Sequence, residues 1–138
     1  MAAFNKFQSF VEALAEKVHN LGSDQIKVAL CAAANAPVNT NTVLANLTEI
    51  SYTNCSTRNV TTSASAQTAG TYKLTLTDLV LTASGGAVGP FRYIVLYNDT
   101  AASDELIGWY DYGSDLTLAD GETLTIDFDG SAGVLTIA

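Results

Sequence analysis

The side chains able to do chemistry in this chain are few and poorly assorted. Nucleophilic catalysis by Ser or Cys needs a base beside the nucleophile, yet His19 is the single histidine and no Gly-x-Ser-x-Gly or comparable context surrounds a serine. A zinc set drawn from His19, Cys31, Cys55 and carboxylates would lack any Cys-x-x-Cys or His-x-x-x-His spacing. Carboxylates are more plentiful: ten of the fourteen lie from Asp78 onward, and paired acids can hydrolyse glycosides. Asp120 and Asp129 each precede a glycine, as turn residues do, and Asp127 falls on the polar side of the Leu124, Ile126, Phe128 alternation, so a solvated face accounts for them. Asp127-Phe128-Asp129-Gly130 begins like a calcium loop, but Ala132 stands at the third acidic position and no Glu follows. The glycines of 84–89 lack a following Lys-Ser/Thr and a helix pattern, and read as a mobile strand connection instead of a phosphate cradle. The expectation is therefore no catalytic, cofactor-binding or metal-ligating residue, and no enzyme.

The elements that would carry these side chains follow from periodicity. Phe4, Phe7, Phe10, Val11, Leu14, Val18 and Leu21 recur at helical spacing with Lys6, Gln8, Ser9, Glu12 and Glu16 on the other side, which predicts one amphipathic helix ending near Leu21, with Gly22 as its left-handed stop and His19 in its last turn. From Gln25 the period becomes two. Ile26, Val28 and Leu30 predict a strand with one buried face, and 35–46, with Pro37 and repeated Asn and Thr, predicts a long loop with one helical turn near 42–47. Strand-length runs then continue: 71–82, bent or bulged at Asp78; 91–97, apolar on both faces except at Arg92 and hence central; 106–112; 116–118; 123–128; and 134–138. The fold class predicted is mainly β, a jelly-roll-like antiparallel β-sandwich with one N-terminal amphipathic α-helix. Residues 1–22 form the helix, packed on the body or on a neighbour, and 23–138 form the sandwich, together one domain.

Composition narrows the function. Apolar residues make up 48% and charged ones 14%, which excludes a disordered tail, and the net charge of −8 turns phosphate attraction into repulsion, so no nucleic-acid partner is expected. No apolar run approaches the ~20 residues that cross a bilayer, and the N-terminus has no signal-peptide core, so no membrane partner is expected and synthesis in a cytoplasm is. There Cys31 and Cys55 are expected to be free. Phe91, Tyr93, Tyr97, Trp109, Tyr110 and Tyr112 crowd two strands, where large rings fill a core or anchor a subunit interface, and Arg92 suits an ion pair with a nearby acid.

With these residues in view, the stretches "GPFRYIVLYN" (89–98) and "LIGWYDYG" (106–113), followed by Asp120-Gly121-Glu122-Thr123, resemble a family of small structural proteins of tailed bacteriophages. The opening helix and first strand, 7–20 and 24–30, are similar to that family's as well, whereas Ile50-Ser51-Tyr52-Thr53-Asn54-Cys55 lacks the glycines common there. The resemblance implies a virion component. A capsid decoration or cement protein on the capsid exterior is expected, with the major capsid protein and further copies of itself (dimer or trimer) as partners. A tail or head-tail adaptor protein and a carbohydrate-binding β-sandwich module are the alternatives. Interface residues expected are Phe4, Phe7, Phe10, Pro37, Val38, Arg92, Tyr110 and Tyr112, and deletion of 2–21 is expected to weaken docking.

Overall fold

The computed structural model describes residues 2–138, and its centre is the most apolar part of the sequence. Ile26–Cys31 (β2), Val88–Asn98 (β7) and Leu106–Leu118 (β8) pair antiparallel, with β7 between the other two. The central position predicted for the Phe91 to Tyr97 run is observed, and its reason is burial on both faces. Ile26, Val28, Leu30, Ile94 and Leu96 enter one apolar cluster, while Ala29, Cys31, Val95 and Tyr97 enter a second on the opposite face. β2 is thus buried on both sides, where one buried face was expected. Where two strands were expected after Leu106, β8 runs unbroken for 13 residues.

The N-terminus departs from the helix expected over 4–21. Phe4–Lys6 (β1) pairs with β8 as an edge strand, and the one α-helix among the described residues, Phe10–Ala15 (α1), has six residues. The threefold spacing of the phenylalanines serves a different purpose from a helical stripe. Phe4 and Phe10 pack on the first cluster and Phe7, fully buried, on the second, so the chain passes round the sheet edge at Phe7. A single helix would have put all three on one face. The helix ends in a Schellman arrangement: Val18 N–H donates to Ala13 O (2.8 Å), Lys17 N–H donates to Leu14 O (3.3 Å), and Lys17, not Gly22, takes the left-handed position at φ +67°.

The remaining strands lie over the first cluster. Asn59–Val60 (β3) flanks β2, completing the order β1-β8-β7-β2-β3; Thr62–Thr68 (β4), Thr71–Leu76 (β5) and Leu135–Ile137 (β10) form a three-stranded sheet, and Leu79–Thr82 (β6) pairs with Thr123–Ile126 (β9). Asp78 separates two strands of different sheets instead of bending one, and its Oδ1 accepts the Phe128 N–H (2.9 Å). Leu74, Leu76, Leu81, Ile126 and Phe128 meet the inner side chains of the five-stranded sheet in one core. The protein is therefore mainly antiparallel β, 46% strand and 9% helical.

Two local devices set the registers that matter for the surface. The pairing shifts between Leu96↔Gly108 and Tyr97↔Leu106, leaving Ile107 as an extra residue. That bulge sends Leu106 into the second cluster while Ile107 and Tyr110 enter the first. Gly108 is required because the Phe4 ring lies where a side chain would stand, and a Cβ there would also come within 2.7 Å of Asn5 O. The connection 84–89 is pinned, not loose: Gly85 N–H donates to Asp120 Oδ1 (2.9 Å) and Asn54 Nδ2 donates to Ala87 O (3.3 Å).

Candidate interaction surface

His19, Asn98, Tyr52, Arg58, Arg92 and Asp129 each make hydrogen bonds within the fold. His19 lies beyond the helix, nearly fully buried beside the Phe10 ring at a centroid distance of 5.3 Å. Asn98 Oδ1 accepts the Thr100 and Ala101 N–H groups (3.0 and 3.1 Å), which fixes the orientation of its amide. The amide nitrogen then donates to Asp24 Oδ2 (2.7 Å) and to His19 Nδ1 (3.0 Å). With Nδ1 accepting, the neutral ring carries its proton on Nε2, which is buried without a hydrogen-bond partner. Burial holds the His19 pKa below its ordinary 6.5, with Glu105 and Asp24 opposing. The nitrogen left with a lone pair, Nδ1, is thus taken up by the Asn98 amide, which fixes the ring in place.

A second polar group seals β2 beyond the short β3. The Tyr52 hydroxyl accepts the Leu30 N–H (2.8 Å) and donates to Glu49 Oε1 (2.7 Å); Arg58 stacks over the Tyr52 ring at 3.6 Å and donates to Val28 O (2.6 Å). Burial pushes the Tyr52 hydroxyl pKa strongly upward, so it stays protonated and can donate. Side chains here share the task with neighbouring backbone, since Val28 N–H donates to Arg58 O (2.9 Å) and Leu30 O accepts the Ile50 N–H (3.0 Å). The ring and its partners are distributed over a segment without periodicity, which is why sequence reasoning passed over them.

The two thiols are free; Cys31 is fully buried, its pKa raised to about 11, chiefly by burial, so it does not ionise at neutral pH. Asp129 Oδ1 accepts the Ser131 and Ala132 N–H groups (2.8 and 2.7 Å), the turn role expected of it, and these bonds hold its carboxyl below the ordinary range. Among the described residues no three His, Cys, Asp or Glu side chains converge as a metal would require.

The expected interface residues separate into three groups. Phe7, Phe10, Tyr110 and Pro37 are buried within the single chain instead of standing free, since large rings beside an apolar sheet cover that sheet first, though Phe10, Tyr110 and Pro37 each border a surface hollow. Deleting 2–21 would remove β1, Phe7 and Phe10, so that variant is expected to lose stability and does not report on docking alone. Arg92 finds its acid in the same hairpin, bidentate to Asp111 (2.8 and 3.0 Å), and this bond with the Gly113 N–H holds the Asp111 carboxyl below its usual range. Phe4, Val38 and Tyr112 remain accessible, Val38 and Tyr112 at 52% and 49% exposure.

Compared with family models, curated proteins and solved structures, the chain matches none. The geometry offers two accessible apolar hollows. Phe4, Val38 and Trp109 border one hollow with Asn5, Lys6 and Asn39, at the free edge of β1. Tyr112 lines a separate hollow with Leu124, Ile126 and a single carboxylate, Asp127. Apolar side chains beside an unpaired sheet edge suit a protein partner, since the edge supplies hydrogen-bond groups and the rings supply area.

Proposed function

We propose that the chain is a structural protein of a tailed-bacteriophage particle, a capsid decoration or cement protein that binds the outer surface of the major capsid protein shell as a dimer or trimer. The observation that carries this reading is the division of labour among the side chains. His19, Asn98, Tyr52, Arg58 and Asp111 are taken up in the fold, while Phe4, Val38 and Trp109 gather at a free strand edge. The likeness of the 89–98 and 106–113 stretches to small phage structural proteins supports the same class. Each clamp contributes a modest interface, and many copies together make a shell resist pressure from within. A net charge of −8 keeps nucleic acid from adhering to the exterior.

The reading is tested by adding the purified chain to phage shells that lack it. Saturable binding and a higher temperature of shell rupture are expected, and the exposed change Val38→Asp is expected to weaken binding while leaving the melting temperature of the free chain unchanged. Shells indifferent to the chain would contradict the reading. A place in the tail or head-tail adaptor uses the same edge to close a ring, and there about a dozen copies per particle or fewer are expected.

A further inference from the structure

From the side of the molecule where β1, α1 and β10 come together, we infer a binding site for an extended segment of another protein chain, apolar along its middle and carrying carboxylates toward both ends. Two hollows of about 400 and 540 Å³ meet there, sharing Leu14 and Ile137. Leu135, Thr136 and Ile137 all line the first hollow; successive strand residues point to opposite faces, so β10 presents its edge to the hollow, and that edge has no strand beside it. An added extended strand would hydrogen-bond to it as the next member of the β4-β5-β10 sheet. Phe4, Phe10 and Leu14 form the apolar lining, and Val11 and Ile137 stand 52% and 40% exposed at the opening, area that a monomer gains nothing by displaying.

Charge decides what kind of segment fits. Of the six cations, Lys27, Arg58 and Arg92 are ion-paired and Lys73 donates to Ser131 O. Lys6 and Lys17 have no such partner among the described residues, and they line the two hollows, one each. In a chain of net charge −8 the two unengaged cations thus sit on the one connected cleft, complementary to carboxylates and repelled by a basic segment. The cleft deepens the proposed function by adding, beside the β1 edge at Val38, a second contact through which a shell subunit would be held, and it rests on that reading only for the partner's identity.

The site is tested with free peptides, so that it stands or falls apart from any particle. A displayed library of random linear peptides is panned on the full chain, and the enriched peptides are synthesised and titrated by fluorescence polarisation. Enrichment of alternating apolar sequences flanked by Asp or Glu is expected, with affinity falling about tenfold or more in Lys6→Glu/Lys17→Glu and in Ile137→Asp, and unchanged in Val80→Asp, which is exposed on β6. Failure to enrich such peptides, or binding that survives both cleft variants or is lost equally in Val80→Asp, overturns the inference. Self-association in sedimentation that the double charge reversal abolishes overturns it too, by making a second copy of the chain the occupant. Peptide binding together with indifference of phage shells would leave the cleft standing and the virion reading fallen.

Discussion

Single side chains here act mainly by closing hydrogen-bond accounts that the strands leave open. Tyr52 is the clearest case, because its hydroxyl is the acceptor for a buried strand N–H at Leu30. Tyr52→Phe should cost about 1–3 kcal/mol in denaturant unfolding, the penalty of an unpaired buried donor, and an unchanged midpoint would show that water takes the hydroxyl's place. His19 makes a second prediction. Its native pKa lies below 6.5, so on acidification the unfolded chain takes up a proton that the native state refuses, and stability falls as pH drops below about 6.5. The slope is limited to about 1.4 kcal/mol per pH unit for one proton, and since His19 is the only histidine, His19→Gln should flatten it between pH 5 and 6.5. A melting temperature independent of pH over that interval in the parent chain would contradict the account of the buried neutral ring.

At the level of elements, the N-terminal segment shows how a sequence pattern is reassigned by packing. Lys17 occupies a left-handed position that ordinarily favours glycine. Lys17→Gly should therefore raise stability by about 0.5–1 kcal/mol, as seen by thermal melting. Gly108→Ala should displace the Phe4 ring and loosen β1, costing about 1–3 kcal/mol and exposing residues 4–9 to protease. β7 was legible as a central strand because it is apolar on both faces, whereas the alternation in β2 marked a strand without disclosing the second buried face that Ala29 and Cys31 form. The edge strand β1 was not, because the phenylalanine spacing at 4, 7 and 10 fits a helix as well as a chain that rounds a sheet edge, and only the presence of β8 decides between them. Likewise the turn roles of Asp120 and Asp129 and the Arg92–Asp111 pair could be anticipated from neighbours in sequence or on adjacent strands. The Asn98 and Tyr52 networks join residues 74 or more and 22 positions apart, with no periodic signal to connect them.

For the whole molecule, one apolar core joins all three sheets, and a second covers the outer face of the five-stranded sheet beneath Leu44 and Leu47. With both faces of its central strands spoken for, the molecule has its edges left with which to meet others, and two of those edges, β1 and β10, border apolar hollows. On the reading proposed above, those edges hold many copies of the chain to a larger surface, and that proposal is open to direct counting. Quantitative mass spectrometry and cryo-electron microscopy of particles purified from a culture in which the coding sequence is active should find the chain at hundreds of copies per particle on the outer face of the shell. Particles of full composition and stability from which the polypeptide is missing would contradict it.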